Sequence, residues 1–313
     1  MKEWLVVVNP NAGIGKVSRD WGRISGLLDS HGFDYQAVFT EGPAHAIDLV
    51  ADHIKEGFRK IIAVGGDGTM NEVVNGIFNK PVLPTTDITV GMISVGTGND
   101  WVRTYNIPMD YEKAIGVLKR GYTMYQDAGI VRFYNSTVQT MRYFVNMAGL
   151  GFDGLVAQKT NADKARGKGN PLLYLKHLIG SLFSYKSCTA TVTVDGQVVR
   201  DKIFSISIGI GQYNGGGMQQ APDAKPDDGL FDLTLIKDLS KWSVIASVRR
   251  LYDGSIKKHK RVKTLLGKNI RIDCEAPILL EADGESLGHS PFEFEMVPRS
   301  VKVIVNEDRG DGW

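Results

Sequence analysis

Apolar and polar positions follow two different rhythms along this chain. In residues 1–121, short continuous apolar runs, "WLVVVNP", "DYQAVFT", "KIIAVGG" and "ITVGMIS", alternate with longer stretches of helical spacing, "VSRDWGRISGLLDSHG", closed by Gly32, "AHAIDLVADHIKEG" and "MNEVVNGIF". Strand, helix, strand with short links predicts a parallel sheet covered by helices. After "YEKAIGVLKRG" the rhythm changes to alternating runs, "YFVNMAGLG", "TATVTVDGQVV", "IFSISIGIG", "LFDLTLIKD", "NIRIDC" and "FEFEMVP", punctuated by Gly, Asp and Pro. Two helical stretches, "PLLYLKHLIGSLFSYK" and "KWSVIASVRRLYDG", interrupt them. The pattern predicts an α/β domain over 1–121 and a mainly antiparallel β-rich domain over 122–313, with a ligand cleft between them.

Composition narrows the function classes. With 313 residues there is room for a large core, and a formal net charge of +2 supplies no global field for nucleic acid, which is excluded as a partner. Cys188 and Cys274 form no CxxC pattern, so neither a disulfide framework nor a cysteine metal site is expected, and the natural compartment is reducing and cytoplasmic. The first apolar run stops at Asn9-Pro10, too short for the core of a leader peptide, and no run approaches the roughly 18 apolar residues of a spanning helix. A membrane-borne substrate has to be reached from the water side. No short-period repeat or low-complexity segment is present, and homo-oligomerisation is left open.

Three glycine-rich polar turns follow strands in the first domain: "NPNAGIGK" after Val8, "GGDGT" after Val64 and "VGTGND" after Ser94. In an open parallel sheet such turns converge on the edge at the strands' carboxyl ends. Gly65, Gly66 and Gly68 allow backbone N–H groups to approach an oxyanion, and the following helix adds the positive end of its dipole. Asp67 repels a phosphate and is expected instead to hold a cation through water, orient a basic residue or bond a hydroxyl. Taken singly, each turn is also ordinary strand-to-helix punctuation.

The common nucleotide motifs do not fit. "NPNAGIGKVS" has Pro10 where a P-loop needs its first glycine and Val17 where it needs Ser or Thr. "GLGFDG", Gly149 to Gly154, matches GxGxxG, but "NPLLYL" stands where an acidic residue is required about 20 positions on. The six histidines form no HxxxH or HExxH pattern, and His177 and His259 read as surface or satisfied groups.

Together, "VVNPNAG", "GGDGTMNEVVNG" and "GTGND" resemble the catalytic domain shared by diacylglycerol, sphingosine and ceramide kinases and by soluble bacterial lipid kinases. "GGDGT" alone is also similar to NAD kinases and phosphofructokinases; "GTGND" favours the lipid-kinase branch. "GLGFDG", "GQYNGGGM", "APDAKPDDGLFDL" and "EADGE" follow in the family's order, so the resemblance covers nearly the whole chain. It implies an NAD kinase/diacylglycerol kinase-like α/β domain and a β-sandwich-like second domain, with the C-terminal segment packing back on the first and the active site between the two. It places ATP against Asn9, Asn11, Ala12, Gly13 and Thr40, the run Gly66, Asp67, Gly68, Thr69, Met70, Asn71 and Glu72, and Thr97. It implies a Mg²⁺ held by the Asp228 carboxylate with the backbone carbonyls of Lys225 and Leu230, and a general base at Glu285.

Phosphoryl transfer to an alcohol needs positioning, charge neutralisation and an acceptor for the hydroxyl proton. Glu285, in the turn "ADGES" after the apolar strand "PILLE", suits that acceptor; Asp283 would orient it, and Asp67 would join the cluster if the cleft closes. Both "ADGES" and "DDGLFD" are also ordinary turns. Helix "PLLYLKHLIGSLFSYK" lines up Leu172, Leu175, Ile179, Leu182 and Phe183, either toward a core or along an acyl channel or bilayer. Leu150 and Phe152 stand as candidate borders of the acceptor pocket. The basic run from Arg249 to Lys263 is either a solvated face or an anionic-membrane contact. The expected activity is an ATP- and Mg²⁺-dependent kinase, peripheral to the membrane, acting on a lipid hydroxyl, diacylglycerol or a sphingoid or ceramide-like alcohol. The alternatives are an NAD kinase-like enzyme for a soluble acceptor and a non-catalytic nucleotide-binding membrane module.

Overall fold

The computed structural model describes residues 2–79, 81–164 and 171–308, and in helix 171–184 the side chains from residue 178 onward. The chain divides into unit 1, residues 1–128 with 298–313, and unit 2, residues 129–297. The division falls at Ala128/Gly129 and not at Gly121. Gly121 is the left-handed C-cap of a helix, φ 67°, which ends that helix without ending the unit.

Unit 1 runs β1 (Trp4–Val8), α1 (Ala12–Ser30), β2 (Tyr35–Phe39), α2 (His45–Lys55), β3 (Lys60–Gly65), α3 (Asp67–Phe78), β4 (Thr89–Ser94), α4 (Asp100–Thr104), α5 (Tyr111–Arg120) and the start of β5 (Thr123–Asn135). The sheet is parallel, in the order β2-β1-β3-β4, with Trp4 opposite both Tyr35 and Lys60 and with Lys60 opposite Thr89. The last residues of β16 (Glu285–Ile304) add to its edge, Lys302 opposite Thr89 and Val303 opposite Val90. All five residues of β1 are buried, as are the last five of β3 and of β4. Continuous apolar runs are what a sheet covered on both faces demands. Val6, Val8, Ile62, Val64 and Ile93 from the strands pack with Val17, Ile24 and Leu28 from α1 and Ile115 and Leu118 from α5. Helix α5 starts on Asp110, whose carboxylate accepts the Lys113 N–H at 3.1 Å.

Unit 2 continues through β6 (Val138–Phe144), β7 (Met147–Gly151), α6 (Phe152–Lys164), α7 (Pro171–Ser184), β8 (Cys188–Val194), β9 (Gln197–Gly209), β10 (Tyr213–Asn214), β11 (Met218–Gln219), β12 (Phe231–Lys237), α8 (Lys241–Tyr252), β13 (Val262–Gly267), β14 (Asn269–Cys274), β15 (Leu279–Ala282) and β16. Its strand pairs are antiparallel. Pairing runs β9-β7-β15-β16-β14-β8 and returns to β9, enclosing a core of Phe144, Ile206, Phe231, Leu280, Phe292 and Phe294. The rings of Phe144 and Phe231 stack at 5.7 Å, and Phe294 meets Phe144 edge-on at 6.1 Å.

The apolar stripe expected on α7 is not a single face. Leu182 is buried while Ile179 and Phe183 are exposed, and the side chains of Leu172, Leu175 and His177 lie outside those described. Leu150 and Phe152 are both buried in unit 2, one in the main core and the other against Phe204 and Leu182. His259 is half-buried, and its Nδ1 accepts the Arg261 N–H at 3.1 Å. Cys188 and Cys274 are free thiols.

Candidate active site

The three glycine-rich turns of unit 1 meet through their backbones at the carboxyl ends of β1, β3 and β4. Asn9 N donates to the Val64 carbonyl at 3.0 Å, and Val95 N to the Gly65 carbonyl at 2.7 Å. A Cβ on Gly96 would stand 2.8 Å from the Gly66 Cα, and one on Gly13, whose φ is +60°, would stand 2.7 Å from the Val95 carbonyl oxygen. Only glycine permits these approaches. Asn9 links two turns by side chain: its Nδ2 donates to Thr69 Oγ1 at 3.1 Å while its Oδ1 accepts the Asn11 N–H. Asn99 closes the third turn on itself, accepting from Gly96 N at 2.7 Å and donating to Gly96 O at 2.9 Å.

Helix α3 begins at Asp67 behind Gly66, which offers no side-chain cap. Thr69 N donates back to the Gly66 carbonyl at 2.9 Å, and the N–H groups of Gly66 and Gly68 are placed for an oxyanion, with the helix dipole behind them. Asp67 turns its carboxylate to the next helix and accepts the Trp101 N–H at 3.0 Å, with the Asn99 and Asp100 N–H groups also on it. Burial pushes this acid up from its ordinary range against the pull of those donors. Its geometry is that of a strut joining "GGDGT" to the start of α4. Glu72 does the same for the Thr40 loop, accepting from Ala44 N at 2.8 Å and Ala46 N at 3.2 Å. Thr40 is buried and its N–H donates to the Val8 carbonyl at 2.9 Å. The Met70 and Asn71 side chains face inward, whereas Asn11 and Thr97 are exposed and Ala12 is half-buried.

In unit 2, Asp283 and Gly284 form the two-residue turn between β15 and β16, with φ of 48° and 83°. Two positive φ values in an Asp-Gly pair make a tight hairpin turn matched to strand twist. The Asp283 carboxylate accepts three backbone N–H groups, Val145 at 2.9 Å on Oδ2, and Asn146 at 2.9 Å and Met147 at 3.0 Å on Oδ1. Asp283 thus pins the hairpin to the start of β7. Glu285, the first residue of β16, follows directly and is half-buried.

Two acids that the sequence reading passed over lie behind this hairpin. Glu281 accepts from Asn214 Nδ2 at 2.8 Å and from Gly284 N at 3.0 Å, and burial pushes it up to about 8. Burial pushes Asp153, at the start of α6, up to about 6, while the side chains of Ser205, Ser207 and Gln220 hold it down. Gly149 lets both acids close in: a Cβ there would meet Glu281 Oε1 at 2.6 Å and Asp153 Cβ at 2.9 Å. The Asn146 Oδ1, on the segment that Asp283 pins, is buried and has no hydrogen-bond partner among the described residues. The signal in the sequence was one glutamate within "PILLEA", an otherwise apolar strand.

At the turn 225–230, Asp228 Oδ1 accepts the Leu230 N–H at 3.0 Å. Asp232 is pushed up to about 7, by burial first and then by Asp228 and Asp223, with Lys257 and Lys225 opposing. Acids crowd this turn, and Lys257 pairs with Asp223 at 2.5 Å. No three His, Cys, Asp or Glu side chains converge on one point among the described residues. One carboxylate with two backbone carbonyls is an all-oxygen set that suits a hard cation retaining water.

A family model described as diacylglycerol kinase catalytic domain matches residues 3–131, and one described as YegS C-terminal NAD kinase beta sandwich-like domain matches residues 146–305. A diacylglycerol kinase of Staphylococcus aureus is 30% identical over 309 residues, spanning 97% of this chain and 94% of its own. A crystal structure of a diacylglycerol kinase from Bacillus anthracis superposes with a TM-score of 0.72 at 22% identity, over 99% of this chain and 98% of that one. A yeast NADH kinase complexed with NADH has a TM-score of 0.55 at 11% identity, over 100% of this chain and 85% of that one, a likeness of fold alone.

Proposed function

The chain belongs to the diacylglycerol kinase family, and from that we propose that this kinase transfers the γ-phosphate of ATP to the hydroxyl of a lipid, diacylglycerol or a sphingoid or ceramide-like alcohol. The observation that carries the reading is the backbone apposition of Gly13, Gly66 and Gly96 around the uncapped start of α3. Nucleotide phosphates bind the N–H groups of Gly66 and Gly68, while Asn9, Asn11, Ala12, Gly13, Thr40 and Thr97 border the nucleotide. Asp67 and Glu72 hold these loops in place through the N-termini of α4 and α2. Glu285 takes the hydroxyl proton as the oxygen attacks the γ-phosphorus, and the Asp283 turn fixes where Glu285 stands.

Magnesium fits the turn at 225–230, held by the Asp228 carboxylate and the carbonyls of Lys225 and Leu230; there it would neutralise the crowded acids and stiffen the loop. No helix among the described residues is long and apolar enough to cross a membrane. On this reading the enzyme meets its lipid acceptor at the bilayer surface as a peripheral protein. The test is release of ADP from ATP and Mg²⁺ with detergent-dispersed diacylglycerol, sphingoid base or ceramide in separate tubes, without lipid, and with NAD in their place. Lipid-dependent ADP release supports the reading; release only with NAD favours a soluble acceptor, and release in none of the tubes removes the kinase proposal.

A further inference from the structure

Helix α8 has no buried residue, although its sequence, "KWSVIASVRRLY", is half apolar. Trp242 is 75% exposed, and Ile245 and Tyr252 are exposed as well. Spacings of three, four and three residues put Trp242, Ile245, Arg249 and Tyr252 on one face of the helix. Leu178 of α7, Tyr185 just after it and Val244 of α8 pack on one cluster of Phe152, Val156, Leu182 and Phe204, and Lys241 Nζ donates to the Tyr185 carbonyl at 2.6 Å. Beside this shared seat, Ile179 and Phe183 point to solvent, Phe183 at 58% exposure.

Cations follow this face along the chain. Arg249 and Arg250 close α8, and Lys258, Lys260 and Arg261 follow, all of them exposed. Burial lowers the pKa of the His259 imidazole, and the neighbouring Arg250, Lys260 and Arg261 lower it further. Asp253 is the acid within this run. A protein surface in water seldom exposes a tryptophan, a phenylalanine and two isoleucines on two helices seated on one buried cluster. Indole, phenol and guanidinium on one helix face, next to a cationic strip, is the composition that seats helices in the headgroup layer of an anionic bilayer.

We propose that the exposed face of α8, with Ile179 and Phe183 of α7 and the cations from Arg249 to Arg261, docks this protein on an anionic lipid bilayer. Trp242, Ile245 and Phe183 enter the headgroup and upper acyl layer, while the arginines and lysines meet lipid phosphates. Charge complementarity selects this occupant over a second copy of the chain, whose matching face would bring the same cations together. The inference rests on the lipid-kinase reading for where the acceptor resides, but docking is measured without turnover.

The experiment is cosedimentation of the full chain with phosphatidylcholine vesicles, alone or mixed with phosphatidylglycerol, at low and high salt. Trp242→Ser/Ile245→Ser and Arg249→Glu/Arg250→Glu are compared with the parent, and turnover on detergent-dispersed acceptor is measured for each. The expected result is salt-sensitive binding to mixed vesicles, weakened about tenfold or more in either double variant. Turnover on dispersed lipid is expected to stay at the parent's level. Equal binding by parent and variants, no binding by the parent, or a concentration-dependent dimer that Trp242→Ser/Ile245→Ser dissolves would overturn the proposal. Vesicle binding without turnover on any acceptor would sink the kinase reading and leave the docking face standing.

Discussion

Replacing Asp283 by alanine strips the acceptor from three backbone N–H groups at once. Oδ2 takes Val145 N at 2.9 Å, and Oδ1 takes Asn146 N at 2.9 Å and Met147 N at 3.0 Å. All three residues are buried, so bulk water does not replace the lost oxygens. A buried hydrogen bond to a charged group contributes about 1.5–3 kcal/mol, and a left-handed φ without a polar side chain adds about 1 kcal/mol of strain. Asp283→Ala should therefore lower unfolding free energy by about 5 kcal/mol or more, comparable to the whole margin of many domains. Asp283→Asn keeps the oxygen that serves Asn146 and Met147 but turns an amide N–H₂ toward Val145 N, and should cost about 2–3 kcal/mol. Urea unfolding followed by far-ultraviolet circular dichroism measures both. An alanine variant within about 1 kcal/mol of the parent would refute the pinning role. If that variant were also inactive, Asp283 would have to act on the reacting groups themselves.

Glu285→Gln should depress kcat while leaving ATP affinity within about twofold, as expected for a group acting mainly in the transition state; an unchanged kcat would remove it as the base. Gly96→Ala pushes a methyl toward the Gly66 Cα and Asn99 Oδ1. It should lower kcat/KM by on the order of 10²-fold through displaced phosphate donors, and parent-like kinetics would contradict the nucleotide edge. Glu281, with Asp153 and Asp283 as its acidic neighbours, is raised from 4.5 to about 8 and so binds its proton in the fold at neutral pH. The folded state then holds more protons than the unfolded chain between those values, and stability falls as pH rises through that window, by up to about 1.4 kcal/mol per pH unit. Glu281→Gln should flatten the slope between pH 6.5 and 8, and a slope equal to the parent's would show that another group titrates. Chelation by EDTA followed by Ca²⁺ or Mg²⁺ should lower and restore thermal stability in the parent but not in Asp228→Asn; equal behaviour of the two proteins would move the cation elsewhere.

Much of unit 1 was legible because parallel strands buried on both faces write continuous apolar runs, and because glycine-rich turns mark where backbone must approach backbone. What the turns do with their acids was not legible. Asp67 and Glu72 spend their carboxylates on the N-termini of α4 and α2, partners 34 and 28 residues away that no local pattern pairs with them. The edge of unit 1 was misjudged for a related reason. After Gly121 the chain stays with the first unit, where the buried Gln126 accepts from Trp101 Nε1 at 3.0 Å and the buried Asp127 accepts from Arg299 N at 2.6 Å. In unit 2 the strands were legible from alternation, but the interior pair Glu281 and Asp153 was not. A buried acid looks like any other acid until Asn214, Gly149 and Ser205 are brought around it by antiparallel pairing.

The account turns on where the γ-phosphate goes. Purified protein with γ-labelled ATP, Mg²⁺ and dispersed diacylglycerol, sphingoid base and ceramide in separate tubes, with NAD in another, is extracted into organic solvent and both phases are counted. The account predicts label in the organic phase of a lipid tube, abolished with Glu285→Gln. Label confined to the aqueous NAD product, or transferred to no acceptor, would contradict it.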